Sequence, residues 1–499
     1  MTDDGKAAGG GRRGTGAAGA LLRYAPSRFA EPALSLLALP VLTRTLGTEG
    51  YGVLAVVLLS AGMVRNVFME WVSTSALRFR TPMAGDLDRF HTNLAASLLL
   101  AGAAAVLLLV PLRGVLVDTR LAVVGLYFWW VLADAAVSAG ALTGEAVLRA
   151  THRPVAFTVS RGLQAASRHL LALAGLLILA RGIDSYMAFR VAGLALVGLW
   201  SWRTIGAFGH LRPARFSWAT QRELLVFGLP LAVSLLTNTL RMMGNQYVVL
   251  WIEGPEGNGL FAAAANIGIA PVRIFQQIVM LGLYPLAIDA WERQESIGPI
   301  VRDGLRYYLL GAVPALAGIA LLARPILGTV AGAEFAPAAP VLVLLSISMF
   351  AYGLSQYFSM LLMVRKETTR LAVIGLVAGG LNLGLSAVLV ARYGYVAAAA
   401  AAVVANVLLL AATMVWGLRP SRETVPYGLA GRVALATAIM AAAVLLVGRL
   451  SALDGVPGLV AGVATGVVAY GAAIVALGEL RGEWRAARRR WAQLRGRDA

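Results

Sequence analysis

Runs of about 20 mostly apolar residues recur from residue 22 to residue 478, separated by short charged segments. Each run is long enough to cross the ~30 Å hydrocarbon core of a bilayer as an α-helix. Lipid offers no partner to an open backbone, so each such run must satisfy its own N–H and C=O groups as helix. Hydrophobic residues make up 59% of the chain and the mean hydropathy is +0.74, above the share found in ordinary soluble domains. The sequence therefore reads as an all-α polytopic membrane protein with fourteen transmembrane helices, spans 1 to 14 in chain order.

The 43 Lys and Arg residues sharpen that reading. They fall mainly on every second connecting segment, starting with the amino-terminal one, which by the positive-inside rule places both termini in the cytoplasm. The net charge of +18 is thus largely a topology signal and does not point to nucleic acid. A basic tail, ARRRWAQLRGR at 487–497, suits the anionic headgroups of the inner leaflet. Cysteine is absent, which removes disulfide and thiol chemistry. Residues 1–21 are Gly-rich without an apolar core, a disordered cytoplasmic tail rather than a cleaved signal.

An internal echo organises the spans. LGTEGYGVL at 46–54 and EGPEGNGLF at 253–261 share Glu-Gly-x-Gly and an aliphatic residue. Each falls in an outside turn, between spans 1 and 2 and between spans 7 and 8. A repeat of six spans is parallel, related by an axis along the membrane normal. The expected plan is two pseudo-equivalent six-helix bundles plus a C-terminal helix pair. Its boundaries are a bundle at 22–207, a cytoplasmic linker at 208–223 with Pro213, a second bundle at 224–418, two more helices at 419–480 and the basic tail at 481–499.

Ionisable groups inside spans are expensive and mark function. The arginines are Arg65, Arg161, Arg168, Arg190, Arg241 and Arg273, and the acids singled out are Glu31, Glu70 and Asp134. Arg65 lies thirteen residues past Gly52 and Arg273 fourteen past Gly259, nearly the same depth in spans 2 and 8. Polar stripes at helical spacing accompany them: Ser234, Asn238, Arg241 and Asn245; Asn266, Arg273 and Gln277; Arg161, Gln164 and Arg168; Asp134 and Ser138. Arg161, Arg168, Arg190 and Asp134 read first as helix-to-helix pairs. Arg65, Arg241 and Arg273 read as a cationic cavity between the halves. Excess positive charge there suits phosphate, which arginine binds bidentately without losing its proton. Glu31, Glu70 and Asp134 either couple transport to protons or neutralise arginines. The four histidines show no metal-ligand spacing and no Walker-type loop is present, so neither a metal nor another bound cofactor is expected.

The stretch from Ser27 to Arg78 resembles polysaccharide flippases of the multidrug/oligosaccharidyl-lipid/polysaccharide exporter superfamily. The matching residues are SR at 27–28, TRTLG at 43–47, EGYG at 49–52 and ALRF at 76–79. FGLPLAVSLL at 227–236 is similar to that family's seventh helix and GLF at 259–261 to the start of its eighth. The resemblance implies alternating access that moves a lipid-linked oligosaccharide or polysaccharide precursor, of polyprenyl phosphate or pyrophosphate type, across a bacterial inner membrane. It also implies cavity arginines at Arg28, Arg65, Arg241 and Arg273, beside which the polar stripes put Asn238, Asn245 and Gln277. Membrane lipids and other polysaccharide-assembly proteins are the expected partners. Asn245 and Gln246 stand where many relatives carry an acidic–basic pair, and Glu70-Trp71 where an acid-x-Gly is usual. Coupling to an H+ or Na+ gradient is the energy source that the resemblance suggests. Two other readings compete: a multidrug antiporter, expected to show an acidic cavity, and a membrane-embedded glycan polymerase or ligase, opposed by short outside loops. The chain is expected to be a transporter and not an enzyme.

Overall fold

The computed structural model describes residues 11–179, 182–417, 427–450 and 455–479. The expected basic tail at 481–499 lies outside them, as do residues 1–10. Among the described residues every regular element is helical, and twelve helices are long and apolar enough to cross a bilayer. The chain is a multi-pass membrane protein.

Two of the twelve are far longer than one crossing: Glu31–Phe79 with 49 residues and Met243–Glu292 with 50. At 1.5 Å per residue either would extend for about 75 Å, more than twice the apolar thickness of a bilayer. Each is broken by one glycine. In α1 (Gly11–Val64) it is Gly47, at φ 67° and ψ −174°. In α9 (Trp218–Glu292) it is Gly254, at φ 80° and ψ −169°. Residues with a Cβ rarely reach this region. The same non-helical step thus occurs at two places 207 residues apart (254 − 47). Both glycines lie within the stretches 46–54 and 253–261 that the sequence placed in outside turns. Each bend comes just before Glu-Gly-x-Gly, and residues 49–52 and 256–259 already form the first turn of the following limb.

The two turns then interlock. A Cβ on Gly52 would lie 1.8 Å from the Pro255 carbonyl oxygen, and one on Gly259 would lie 2.0 Å from that of Thr48. Residues 52 and 259, like 48 and 255, are 207 positions apart, so each copy of the motif offers its glycine to the other's backbone. The buried Asn258 donates from Nδ2 to the Gly52 carbonyl at 3.0 Å, clamping the contact.

By their contacts the residues form two compact units, Met1–Gly259 and Leu260–Ala499. In the first, the second limb of α1 continues through a π-turn (Arg65–Met69) into α2 (Glu70–Phe79). The remaining long helices are α3 (Leu87–Val117), α5 (Phe128–Ala150), α6 (Pro154–Ala166) and α8 (Ile183–Thr204), with the short α4 (Ala122–Leu126) before α5. A second π-turn (Ser167–Leu171) joins α6 to α7 (Ala172–Leu179). Trp71, Phe90, Leu94, Phe128, Trp202 and Leu224 belong to one buried apolar cluster in it. The first limb of α9 belongs here. Trp71 occupies the space over Gly228, where a Cβ would meet its ring at 2.2 Å, and Gln221 Nε2 donates to Ser97 Oγ at 2.9 Å. The linker before α9 is pinned to the start of α3, where Asp88 meets His210 at 2.6 Å and Arg212 at 3.2 Å.

The second unit holds the second limb of α9, α10 (Gly298–Val330), α11 (Ala339–Val364), α12 (Thr368–Tyr393), α13 (Val396–Gly417), α14 (Tyr427–Leu450) and α15 (Gly455–Ala476). Small residues let these helices approach closely: Ala397, Ala398, Ala399, Ala401 and Ala402 of α13 are all buried. The last two helices dock on α10 through Tyr470 OH, which donates to the Leu310 carbonyl at 2.8 Å. Glu479 meets Arg432 and, at 3.9 Å, Arg306.

We expect Gly52→Ala and Gly259→Ala each to destabilise the fold by about 3 kcal/mol, since the added methyl meets backbone that cannot swing aside. Gly62→Ala, where a Cβ meets nothing within 4 Å, should be neutral or stabilising by about 0.5–1 kcal/mol. Thermal denaturation midpoints of the three variants in one detergent test the contrast.

Candidate functional site

The first unit concentrates charge where lipid cannot hydrate it. Arg190 of α8 places Nε 2.6 Å from Asp134 Oδ1 of α5, and both side chains are buried. Arg190 also donates from Nη1 to the Arg168 carbonyl at 3.2 Å, and Tyr186 OH donates to the same oxygen at 3.0 Å. That carbonyl lies within the π-turn Ser167–Leu171. A turn widened to i→i+5 spacing upsets the regular i→i+4 ladder and leaves backbone acceptors to be met by other donors.

From Arg168 the network runs on. Its Nη1 donates to Glu31 Oε1 at 2.6 Å and its Nη2 to Gln164 Oε1 at 3.4 Å. Gln164 Nε2 donates to Glu145 Oε2 at 3.0 Å, and Arg161 Nε lies 3.4 Å from Glu145 Oε1. Arg161, Arg168 and Arg190 thus each face one carboxylate across a helix boundary. The stripe Arg161, Gln164 and Arg168 does share one face. Glu145 was not singled out from the sequence, although it extends the Asp134–Ser138 stripe: positions 134, 138 and 145 lie within about 40° of one another on a helix.

Arg65 is held differently. Its Nε and Nη2 donate to Asn66 Oδ1, the adjacent residue, at 3.2 and 2.8 Å. Glu70 Oε2 stands 3.8 Å from Nε, beyond hydrogen-bond range, and the two side chains keep 22% and 29% of their exposure. Among the described residues, most of the guanidinium's donors therefore have no partner. Asn66 Nδ2 reaches Thr239 Oγ1 on α9 at 3.4 Å.

The other expected site residues are spread out. Asn245 is buried in the first limb of α9. Arg273 and Gln277, one turn apart in the second limb, are both exposed and have no partner among the described residues. The side chains of Arg28, Asn238 and Arg241 lie outside the described residues. Beside Arg273 in sequence, Pro271 and Phe275 line a cleft of about 450 Å³ in the second unit, closed by Pro314 of α10, Val444 of α14 and Gly462 and Gly466 of α15. Among the described residues no group of histidines and carboxylates is placed to hold a metal ion.

Removing one partner of the buried pair leaves an uncompensated charge, so Asp134→Ala should destabilise the protein by about 3–5 kcal/mol. Glu70→Ala, at a half-open pair, should cost about 1 kcal/mol or less. Adding Arg190→Met to Asp134→Ala should recover much of the loss, read as denaturation midpoints in detergent.

The family described as polysaccharide biosynthesis protein matches residues 25–291, more than half of the chain. No curated protein sequence matches. Among solved structures, the lipid II flippase MurJ in an inward closed conformation superposes with a TM-score of 0.76 at 13% identity, covering 92% of this chain and 99% of that one. An inward-facing multidrug resistance MATE transporter of the MOP superfamily gives 0.59 at 14% identity, covering 80% and 95%. A MOP superfamily transporter from Pyrococcus furiosus, described as having a binding pocket of reverse polarity that suggests a different function, gives 0.54 at 16%, covering 81% and 96%. These likenesses show a shared fold, and with the sequence match they establish that the chain belongs to the polysaccharide biosynthesis protein family.

Proposed function

We propose that the protein is a flippase that moves a lipid-linked oligosaccharide or polysaccharide precursor across the bacterial inner membrane by alternating access. The reading takes the two long helices as two crossings each, divided at Gly47 and Gly254. That makes fourteen crossings with both termini cytoplasmic. The observation that carries the function is the unequal treatment of the arginines. Arg161, Arg168 and Arg190 are each matched by a carboxylate. Among the described residues, Arg65 is matched only in part, and Arg273 is exposed without an acid. Guanidinium donors left open within an apolar span suit a phosphate or pyrophosphate, which accepts them bidentately. The cleft beside Pro271 and Phe275 suits the apolar chain that such a headgroup carries. Family membership and fold similarity to the lipid II flippase support the same class of cargo. In this reading Arg28, Arg65 and Arg241 of the first unit are phosphate ligands, as is Arg273 of the second, Asn238, Asn245 and Gln277 orient the sugars, and an H+ or Na+ gradient drives the cycle.

A multidrug antiporter shares the fold and is the second reading. It calls for acidic groups facing a cationic drug, the reverse of what Arg65 and Arg273 offer.

The decisive measurement is thermal stabilisation of the purified protein by a polyprenyl-pyrophosphate oligosaccharide and by a lipophilic cation. Stabilisation by the pyrophosphate lipid alone, lost in an Arg65→Gln, Arg273→Gln double variant, is the expected result. Stabilisation by the cation alone would replace the flippase with the antiporter. Gly466→Leu, which fills the cleft, should weaken stabilisation by the long-chain lipid at least tenfold in the concentration required, about 1.4 kcal/mol, while leaving a short-chain analogue unaffected.

A further inference from the structure

Arg65 and Glu70 are brought together by the backbone. Across the π-turn Arg65–Met69 the Glu70 N–H bonds to the Arg65 carbonyl five residues back. A regular α-helix would leave side chains five positions apart about 140° from one another. In the wide turn Glu70 Oε2 comes to 3.8 Å from Arg65 Nε. The turn is held where it is, since Met69 is buried in the first unit's apolar cluster and Val64 and Phe68 pack against it. An acid is thus fixed beside this arginine, yet the two do not close into a hydrogen-bonded pair.

The residue after Arg65 accounts for the gap. Asn66 Oδ1 accepts from both Nε and Nη2 of Arg65, at 3.2 and 2.8 Å. Nε carries a single N–H, and it is taken by the amide, although Nε is the nitrogen that Glu70 stands beside. Glu70 for its part is tied to its own helix, its Oε1 accepting from Ser73 Oγ at 3.1 Å. Asn66 Nδ2 reaches the buried Thr239 of α9, at 3.4 Å from Oγ1. Only the oxygen of a carboxamide accepts from a guanidinium, so the amide's orientation follows from its neighbours. What is left of Arg65 is its end-on edge, with one N–H of Nη1 and one of Nη2 in parallel. That fork suits two oxygens of a phosphate.

Elsewhere in the unit a carboxylate takes the guanidinium directly. Arg190 Nε meets Asp134 at 2.6 Å, Arg161 Nε meets Glu145 at 3.4 Å, and Arg168 Nη1 meets Glu31 at 2.6 Å. A carboxylate is the stronger acceptor, so an acid at position 66 would hold Arg65 more firmly than the amide does. The amide does something an acid does not. It orients the guanidinium through a contact that leaves the positive charge uncancelled.

We propose that Asn66 is a positioning residue for anion binding: its carboxamide occupies the edge of Arg65 that Glu70 would otherwise claim, and so keeps the end-on edge available to a phosphate of the transported lipid. The inference rests on the reading of Arg65 as an anion-binding group. Without the amide, the carboxylate closes by about 1 Å and takes Nε and Nη2 as a bidentate pair. An arginine paired in that way attracts a second anion less, because the carboxylate now repels it from close by.

The test measures how much polyprenyl pyrophosphate raises the denaturation midpoint of the purified protein. Four forms are compared: wild type, Asn66→Ala, Glu70→Gln and the two substitutions together. Asn66 is only half-buried, so alanine there opens no core, and the unliganded midpoints check folding. Polyprenol without phosphate is the control that lacks the headgroup. Asn66→Ala should need at least about tenfold more of the pyrophosphate lipid, about 1.4 kcal/mol. Its unliganded midpoint and its response to polyprenol should stay at wild type. Glu70→Gln alone should bind as well as wild type or better. In the double variant it should bring the requirement back to within about threefold of wild type. Removing a neighbouring acid would not repair the loss of a merely structural residue. Wild-type affinity in Asn66→Ala would overturn the role of the amide and leave the flippase reading standing. A double variant as weak as Asn66→Ala would do the same, since Glu70 would then not be the competitor. Weaker binding in Glu70→Gln alone, or a lost polyprenol response in Asn66→Ala, would overturn it too. If the pyrophosphate lipid stabilises wild type no more than polyprenol does, the flippase reading itself falls and takes the proposal with it.

Discussion

A guanidinium inside a bilayer keeps its charge and five donors, and hydrocarbon supplies nothing to meet them. The first unit is arranged around that demand. Arg168 sits where α6 widens. Its side chain reaches Glu31 and Gln164, while its carbonyl takes Tyr186 and Arg190. Through Arg190 the chain of bonds reaches Asp134 on α5, and through Gln164 it reaches Glu145 and Arg161. Four segments of the unit are thus joined by side chains that would be intolerable singly. Buried pairs of this kind specify an arrangement more surely than they stabilise it, because the desolvation they require offsets most of their attraction. Against this closed network, Arg65 stands apart: among the described residues it meets only Asn66 and, at 3.8 Å, Glu70.

Much of this plan was legible in the sequence. The membrane class, the offset between the two glycine motifs and the buried arginines all follow from composition and spacing, since period and charge are local properties. The pairing of Arg190 with Asp134 was not legible, because the partners lie 56 positions apart and meet only through the packing of α5 against α8. The π-turns left no mark either. RNVFM and SRHLL contain no glycine or proline, and a change from i→i+4 to i→i+5 bonding is set by tertiary contacts. Glu145 escaped because it falls near the end of its helix, where a carboxylate is usually wetted. The separate tasks of the motif glycines were hidden for a related reason. Glu-Gly-x-Gly looks like a turn, yet its second glycine is there for close backbone approach, while the positive φ belongs to the glycine preceding the motif.

The two units treat their apolar surfaces in different ways. In the first, large rings fill gaps over glycines, as Trp71 does at Gly228. In the second, runs of alanine bring helices together directly, with polar bonds between helices such as Asn406 Nδ2 to Ser348 Oγ at 2.8 Å. Without a hydrophobic drive between helices in lipid, both solutions rely on close contact over long stretches. The cleft lined by Pro271, Phe275 and the glycines of α15 is the place where the second unit declines that contact.

The reciprocal fit of Gly52 and Gly259 has an evolutionary consequence. Two similar motifs in one chain are ordinarily free to drift apart, each position answering to its own surroundings. Here each copy is the surroundings of the other. A side chain gained at either glycine would have to be absorbed by carbonyl oxygens at Thr48 or Pro255, and no substitution shrinks a backbone. The pair is therefore bound to change together or not at all, whatever becomes of the flanking helices.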